Sequence, residues 1–212
     1  VTTVLLTGFD PFAGDDRNPS GEAVAEAALT WAGPETLVTA TLPVEFDAAA
    51  DDLRGLIAEF APDVVIATGL AGGRTQVTPE RVAINLRDAR IPDSAGAQPL
   101  DEPCVPGGPA AYFASVPVKA IAGAVAAAGI PAAVSHSAGT FVCNHVFYVA
   151  AHEAARRPGM RAGFVHLPWS TETAPAGQPS LPAVDLAHAL QLAVRTALDV
   201  AVDTPAATGS LH

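Results

Sequence analysis

Cationic side chains are scarce in this chain of 212 residues: 11 Lys and Arg stand against 22 Asp and Glu, a formal net charge of −11. A nucleic-acid surface needs a stripe of Lys and Arg to displace counterions from phosphates, and the chain has none, so no nucleic-acid partner is expected. The same shortage disfavours an anionic membrane surface, and the acidic surplus serves solubility. Long apolar runs are missing too. The apolar start, Val1–Leu6, is far too short to cross a bilayer. Cysteine is rare, with only Cys104 and Cys143, so there is no disulfide framework. Cys104 lies in the proline-rich loop Glu102-Pro103-Cys104-Val105-Pro106. With no leader-like segment, the expectation is a cytoplasmic protein in which the two thiols stay unpaired. No His, Cys and carboxylate cluster has ligand spacing, so neither a metal nor a cofactor is expected. No repeat and no linker divides the chain, and its length suits one domain, 1–212, with a sizeable core.

What is present is an alternation of strand-length apolar runs with segments of helical period. Val1–Leu6 reads as a strand. Asn18 then caps a helix with Pro19 at its first position, and Val24, Ala27, Ala28 and Trp31 form its apolar stripe. Leu37–Leu42 is a second strand, followed by a helix carrying Leu53, Leu56, Ile57 and Phe60. Asp63–Ala67 is continuously apolar after its first residue, the pattern of a strand buried on both faces. A glycine-rich turn, Gly69–Arg74, leaves it, and Arg81–Asn85 reads as a shorter strand. Residues 87 to 114, dense in Asp, Pro and Gly, read as a long functional excursion. A helix with Ile121, Ala124, Val125 and Ala128 ends at Gly129, and strands are expected at 131–135 and 161–167 around a helix that begins near Cys143. A last helix carries Leu190, Val194, Leu198 and Ala201. Such alternation implies a mixed, mainly parallel sheet with helices on both faces, and a site at the carboxyl ends of its strands.

Cys143 falls in the first turn of its helix, where unpaired N–H groups and the helix dipole favour a thiolate. A nucleophilic cysteine needs a base. Among six histidines, His166 alone lies in an apolar strand, one helix and one strand away, so the chain returns to the same edge of the sheet. His145 is two residues from Cys143, too close to face it. His136 is at a strand end, His152 is on the Cys143 helix, His188 is in the last helix and His212 is the terminal residue. The base wants a carboxylate to orient it, and Asp10, Glu45, Glu80, Asp93 and Glu102 are all placed beside apolar or loop segments. Glu80, at the start of Arg81–Asn85, has the best local case, with Asp93 next. Oxyanion donors are expected from the backbone at Val142 and Cys143, helped by Arg87 or Arg90.

Together Gly8–Phe12, Pro79–Asn85, Asp88–Asp93, Gly139–Asn144 and Val165–Pro168 resemble the pyroglutamyl peptidase family, in order and over roughly residues 1 to 170. The resemblance implies a cysteine peptidase that hydrolyses N-terminal pyroglutamyl residues from peptides through a thioester. It implies Cys143 as nucleophile, His166 as general base and acid, and Glu80 as orienting carboxylate. It places Arg90 near the oxyanion and Phe9, Phe12, Ile91, Phe141 and Val142 around the pyroglutamyl ring. The implied fold is a three-layer α/β/α sandwich shared with nucleoside phosphorylases, assembled as a homo-oligomer, a tetramer or dimer. Two departures stand out. Ala13 replaces a usual glycine, and Leu70 replaces a residue that is polar in many members.

Other readings compete with this one. A nucleoside phosphorylase-like enzyme would bind phosphate at the glycine turn, although the lysine and Ser/Thr of a P-loop are missing. A non-catalytic ligand-binding domain on the same fold would have no use for the thiol. Arg74 and Arg90 can be structural ion-pair residues. Residues 170–180, rich in Thr, Pro and Gly, are expected to form a mobile flap over the pocket.

Overall fold

The computed structural model describes residues 1–209, and His212 lies outside that range. The chain runs β1 (Thr3–Phe9), α1 (Pro19–Leu29), β2 (Thr36–Leu42), α2 (Phe46–Phe60) and β3 (Val64–Leu70), then β4 (Thr78–Pro79), β5 (Val82–Ile84) and β6 (Ala111–Phe113). It continues with α3 (Val118–Ala127), α4 (Val142–Arg156), β7 (Arg161–Leu167), β8 (Trp169–Ser170), β9 (Ser180–Leu181) and α5 (Ala183–Asp199). The main sheet has the order β2-β1-β3-β7-β4. Its first four strands are parallel and β4 closes the edge antiparallel to β7.

The period of two along each strand divides the core. Leu5, Val65, Ala67, Ala162 and Phe164 point to one face, under α2 and α4, with Leu53, Ile57, Val146 and Phe147. Val4, Leu6, Val64, Ile66, Val165 and Leu167 point to the other, under α1, α3 and α5. Each fully buried aliphatic or phenyl side chain contributes about 1.5–3 kcal/mol. The result is the expected three-layer sandwich.

Local signals account for several element ends. The Asn18 side chain accepts from the Ser20 N–H, and Pro19 follows it at the helix start. The α2 chain leaves through Ala61 in the left-handed region. Two expectations need correction. Residues 131–135 are not a regular strand: they meet 77–81 through isolated bridges, with Val77 N–H donating to the Pro131 carbonyl and Arg81 N–H to that of Ser135. Pro79 has no N–H to give to a continuous ladder, and β4 spends its other edge on β7. Residues 170–180 do not cover the pocket, because the turn is held between β8 and β9 and none of it lines the main cavity.

Candidate active site

The glycine at 139 has φ +79, a left-handed bend that a side chain resists, and it turns the chain into α4. Phe141 is the N-cap and offers no side-chain cap, so Val142 and Cys143 enter the helix with N–H groups that no intrahelical carbonyl can reach. The loop before the helix is stitched to the 88–91 segment. Thr140 Oγ1 donates to the Asp88 carbonyl at 2.7 Å, and Asp88 N–H donates back to the Thr140 carbonyl at 3.1 Å. From this helix start the half-buried thiol reaches down onto β3. A Cβ added at Gly69 would lie 2.7 Å from Cys143 Sγ.

Gly69 pairs in register with His166 on β7. On β7, Ala162 and Phe164 face the α2–α4 side, so His166, two residues on, faces that side as well. The imidazole packs on the Phe164 ring, centroids 4.7 Å apart. The tertiary structure thus gathers thiol and imidazole on one face of the sheet at the carboxyl ends of its strands.

Behind His166 lies a buried hydrogen-bond and ion-pair network. Its Nδ1 is 2.7 Å from Glu80 Oε1, and Glu80 is fully buried. Arg74 Nη1 donates to the same Oε1 at 2.7 Å. Burial opposes the charge of Glu80, but the hydrogen bond from His166 and the charges of His166 and Arg74 hold its pKa below the usual carboxylate value. His166 moves down as well: burial lowers it, Glu80 pulls it back up, and Arg74 lowers it further. At neutral pH the imidazole is therefore neutral, with its proton on Nδ1 toward Glu80 and Nε2 free to accept.

The thiol departs from expectation. Burial, and then the negative charge of Glu80, push Cys143 up to about 12, outweighing Arg74 and the residue's own N–H. A dipole of half a charge at one helix end does not offset such desolvation. The resting pair is neutral thiol and neutral imidazole, so the nucleophile has to be generated by proton transfer when substrate is in place.

The remaining carboxylates are occupied elsewhere or remote. Asp93 Oδ2 accepts from Phe46 N–H at the start of α2, and its Oδ1 accepts from the N–H groups of Ala95 and Ala97. It shapes a loop and does not contact His166. Glu102 pairs with Arg87, which also binds Asp47, so Arg87 is committed away from the thiol. Arg90 makes no ion pair among the described residues and stands at the cavity rim. Cys104 is buried, donates weakly to the carbonyls of Ile84 and Leu86, and is not bonded to Cys143.

That cavity has a volume of about 360 Å3 and ends on Cys143. Phe9, Phe12, Ile91, Phe141 and Val142 all line it, and Leu70 and Val44 complete the apolar wall. Phe141 is wedged between Phe12 and Phe46, at centroid distances of 5.6 and 5.2 Å. Asp15, Arg17, Asp88 and Arg90 ring the mouth. Such a slot suits a small, neutral, flat group with a polar edge.

Sequence reading missed one support and half of another. Arg74 reads as an ion-pair residue and is one, but nothing local pairs it with a glutamate six residues on. Asn144 reads as a helix residue. Its amide in fact bonds the Ile84 N–H and the carbonyls of Ile84 and Leu86, anchoring β5 to the Cys143 helix. Its place beside Cys143 and the low helix propensity of Asn were the only available signals.

Among the described residues, no helix is long and apolar enough to cross a membrane. A sequence profile of the family described as pyroglutamyl peptidase matches residues 2–201. The chain is 53% identical to a pyrrolidone-carboxylate peptidase of Clavibacter michiganensis subsp. michiganensis, and 49% identical to one of Cupriavidus necator, each over the whole of both chains. The crystal structure of Bacillus amyloliquefaciens pyroglutamyl peptidase I superposes with a TM-score of 0.92 at 46% identity, over 96% of this chain and all of that one. Pyrrolidone carboxyl peptidase from Thermococcus litoralis superposes with a TM-score of 0.89 at 36% identity, over 94% of each chain.

Proposed function

The chain belongs to the pyroglutamyl peptidase family, and we propose that Cys143, His166 and Glu80 are the nucleophile, the general base and acid, and the orienting carboxylate of its reaction. The protein is a cysteine-type peptidase that removes an N-terminal pyroglutamyl residue from peptides. The observation that carries the assignment of roles is the packing of the Cys143 thiol on Gly69, whose register partner His166 is held by Glu80 at 2.7 Å.

Pyroglutamate is a lactam without a free amine. An apolar slot lined by Phe9, Phe12, Ile91, Phe141 and Val142 accepts its ring with no charged clamp for an N-terminus. With the scissile carbonyl over Cys143, His166 Nε2 takes the thiol proton and the sulfur attacks the carbonyl carbon. The N–H groups of Val142 and Cys143 receive the oxyanion, and Arg90 at the rim adds positive charge to that side. The tetrahedral intermediate collapses, the C–N bond breaks, and the imidazolium gives its proton to the leaving amine. Water, deprotonated by the same Nε2, then cleaves the thioester to release pyroglutamate and the free thiol. Glu80 stays ionised throughout and stabilises the imidazolium in each half-reaction.

Two further assignments accompany this one. Two unpaired cysteines are consistent with a reducing, cytoplasmic compartment. A homo-oligomer, dimer or tetramer, belongs to the same reading, and light scattering of the purified protein tests it.

Turnover of a pyroglutamyl chromogenic amide against its prolyl analogue tests the reaction. The first should be hydrolysed and the second rejected, because proline lacks the lactam carbonyl. Iodoacetamide and Cys143→Ser should each abolish the activity. Turnover persisting in Cys143→Ser would overturn the mechanism.

A further inference from the structure

We propose that Arg74 is a positioning residue for this reaction: its guanidinium fork holds the Glu80 carboxylate against His166 and ties that pair to the segment leading into the Cys143 helix. The proposal rests on the assignment of Cys143, His166 and Glu80 made above.

Three contacts carry it. Arg74 Nη1 donates to Glu80 Oε1 at 2.7 Å and also to Thr78 Oγ1. Nη2 donates to the Ser137 carbonyl at 3.1 Å. Glu80 Oε1 therefore receives two donors, Arg74 and His166, while the buried Oε2 has no hydrogen-bond partner. Among the described residues these two donors are in hydrogen-bond contact with the carboxylate, and the Ser135 hydroxyl adds a further favourable influence on its charge. One of the two donors, His166, is the group whose orientation the carboxylate must itself supply, so the independent anchor is Arg74.

The second arm of the fork reaches a different part of the chain. Ser137 belongs to the stretch 135–139 that delivers α4 and its thiol, and the same stretch meets Glu80 through the backbone bridge at Ser135. One planar group thus sets base and nucleophile relative to each other. A guanidinium suits this, since its donors diverge at fixed angles, whereas a single ammonium cannot span both acceptors in one geometry.

Arg74 acts without touching substrate. It lines a separate polar depression with Thr78, Ser135 and Ser137, and it does not line the cavity over Cys143. Its loss should therefore alter kcat and leave KM in place. Its charge also disfavours the imidazolium of His166, a contribution opposite in sign to that of Glu80. Without that charge, and with Glu80 still hydrogen-bonded to Nδ1, His166 protonates more readily, and the acid limb of the pH–rate profile moves to higher pH.

The test is kcat, KM and the pH profile of kcat/KM on a pyroglutamyl amide for wild type, Arg74→Met and Arg74→Lys, with Cys143→Ser as control. For Arg74→Met, kcat should fall about 10- to 100-fold, less than the ~10²–10⁴ expected for losing an acid–base group itself. KM should stay within about twofold, with the acid limb displaced upward. Arg74→Lys should keep the limb at the wild-type pH and still lose part of kcat. Wild-type kcat in either variant, a loss confined to KM, or a fall in kcat without movement of the limb in Arg74→Met overturns the proposal. If Arg74→Met does not fold, Arg74→Lys decides: reduced kcat at unchanged KM supports the role, and full activity ends it. Activity in Cys143→Ser would remove the site assignment itself, whereas an inactive Cys143→Ser beside a fully active Arg74→Met would remove only this inference.

Discussion

Gly69 and His166 are register partners on adjacent parallel strands, and the space where a Gly69 side chain would stand is filled by the sulfur of Cys143. The absent Cβ is what lets the thiol descend to the level of the imidazole. In Gly69→Ala the new methyl would lie 2.7 Å from Sγ and 3.1 Å from the Phe164 ring. The thiol must shift, and a displacement near 1 Å costs about 10²-fold in rate. Overpacking should also lower stability by about 1–3 kcal/mol. Steady-state kinetics and urea unfolding check both numbers, and wild-type kcat in a folded Gly69→Ala protein would contradict this account of the site.

Glu80→Gln keeps shape and removes charge. The carboxamide no longer stabilises the imidazolium, so kcat should fall by about 10²–10⁴ with KM little changed. The pH profile supplies a signature. Glu80 raises the pKa of His166 against its burial, so without that charge the imidazolium forms only at lower pH. The acid limb of kcat/KM should move down, opposite to the shift expected for Arg74→Met. Movement of both limbs in the same direction would show that the two groups do not act on one imidazole.

His145 should govern acid stability. Burial, aided by the charges of Arg87 and Arg54, pushes it down to about 4 from 6.5, and its Nδ1 has no hydrogen-bond partner among the described residues. A depressed histidine is neutral when folded and gains its proton on unfolding. Stability is thus complete above pH 6.5 and is lost as pH falls toward 4, by about 3 kcal/mol from this group. His166, also lowered, adds to the loss in the same direction. His145→Leu should flatten the dependence of unfolding free energy on pH over this window, leaving the slope contributed by His166. Urea titrations at pH 7 and 4.5 measure it, and an unchanged slope would exclude His145 as the source.

Ala13 sits at the cavity rim with φ +58, a left-handed conformation that costs an alanine about 1–2 kcal/mol. Ala13→Gly relieves that strain but frees the unfolded chain, a cost of about 0.5–1 kcal/mol. The net should be a gain of up to about 1 kcal/mol with turnover unchanged. Thermal unfolding checks it, and a lower midpoint would mean that the methyl makes contacts outweighing its strain.

The strands and helices of the core were readable from periodicity, because burial on a sheet face or helix stripe repeats every two or 3.6 residues. That is why the Asn18–Pro19 helix start and the Cys143 helix stood where expected, and why the strand read at Asp63–Ala67 is present, although it runs on through Gly69 and Leu70, which read as a turn. The residues proposed as nucleophile, base and carboxylate were also named from the sequence, but Glu80, which had the best local case of five carboxylates, rested more on motif resemblance than on its setting. Segment 131–135 read as a strand and is not one, because pairing depends on what the neighbouring edge can offer, and Pro79 offers no N–H.

Local pattern in the chain was enough for the layers, the thiol at a helix start and the histidine in an apolar strand. Folding alone settled the electrostatics. The helix-start position suggested a thiolate, yet desolvation and the nearby Glu80 leave Cys143 a thiol. The choice of Glu80 over Asp93 and the recruitment of Arg74 likewise came from contacts across the sheet. Burial and charge proximity are properties of three-dimensional surroundings, which sequence spacing does not carry.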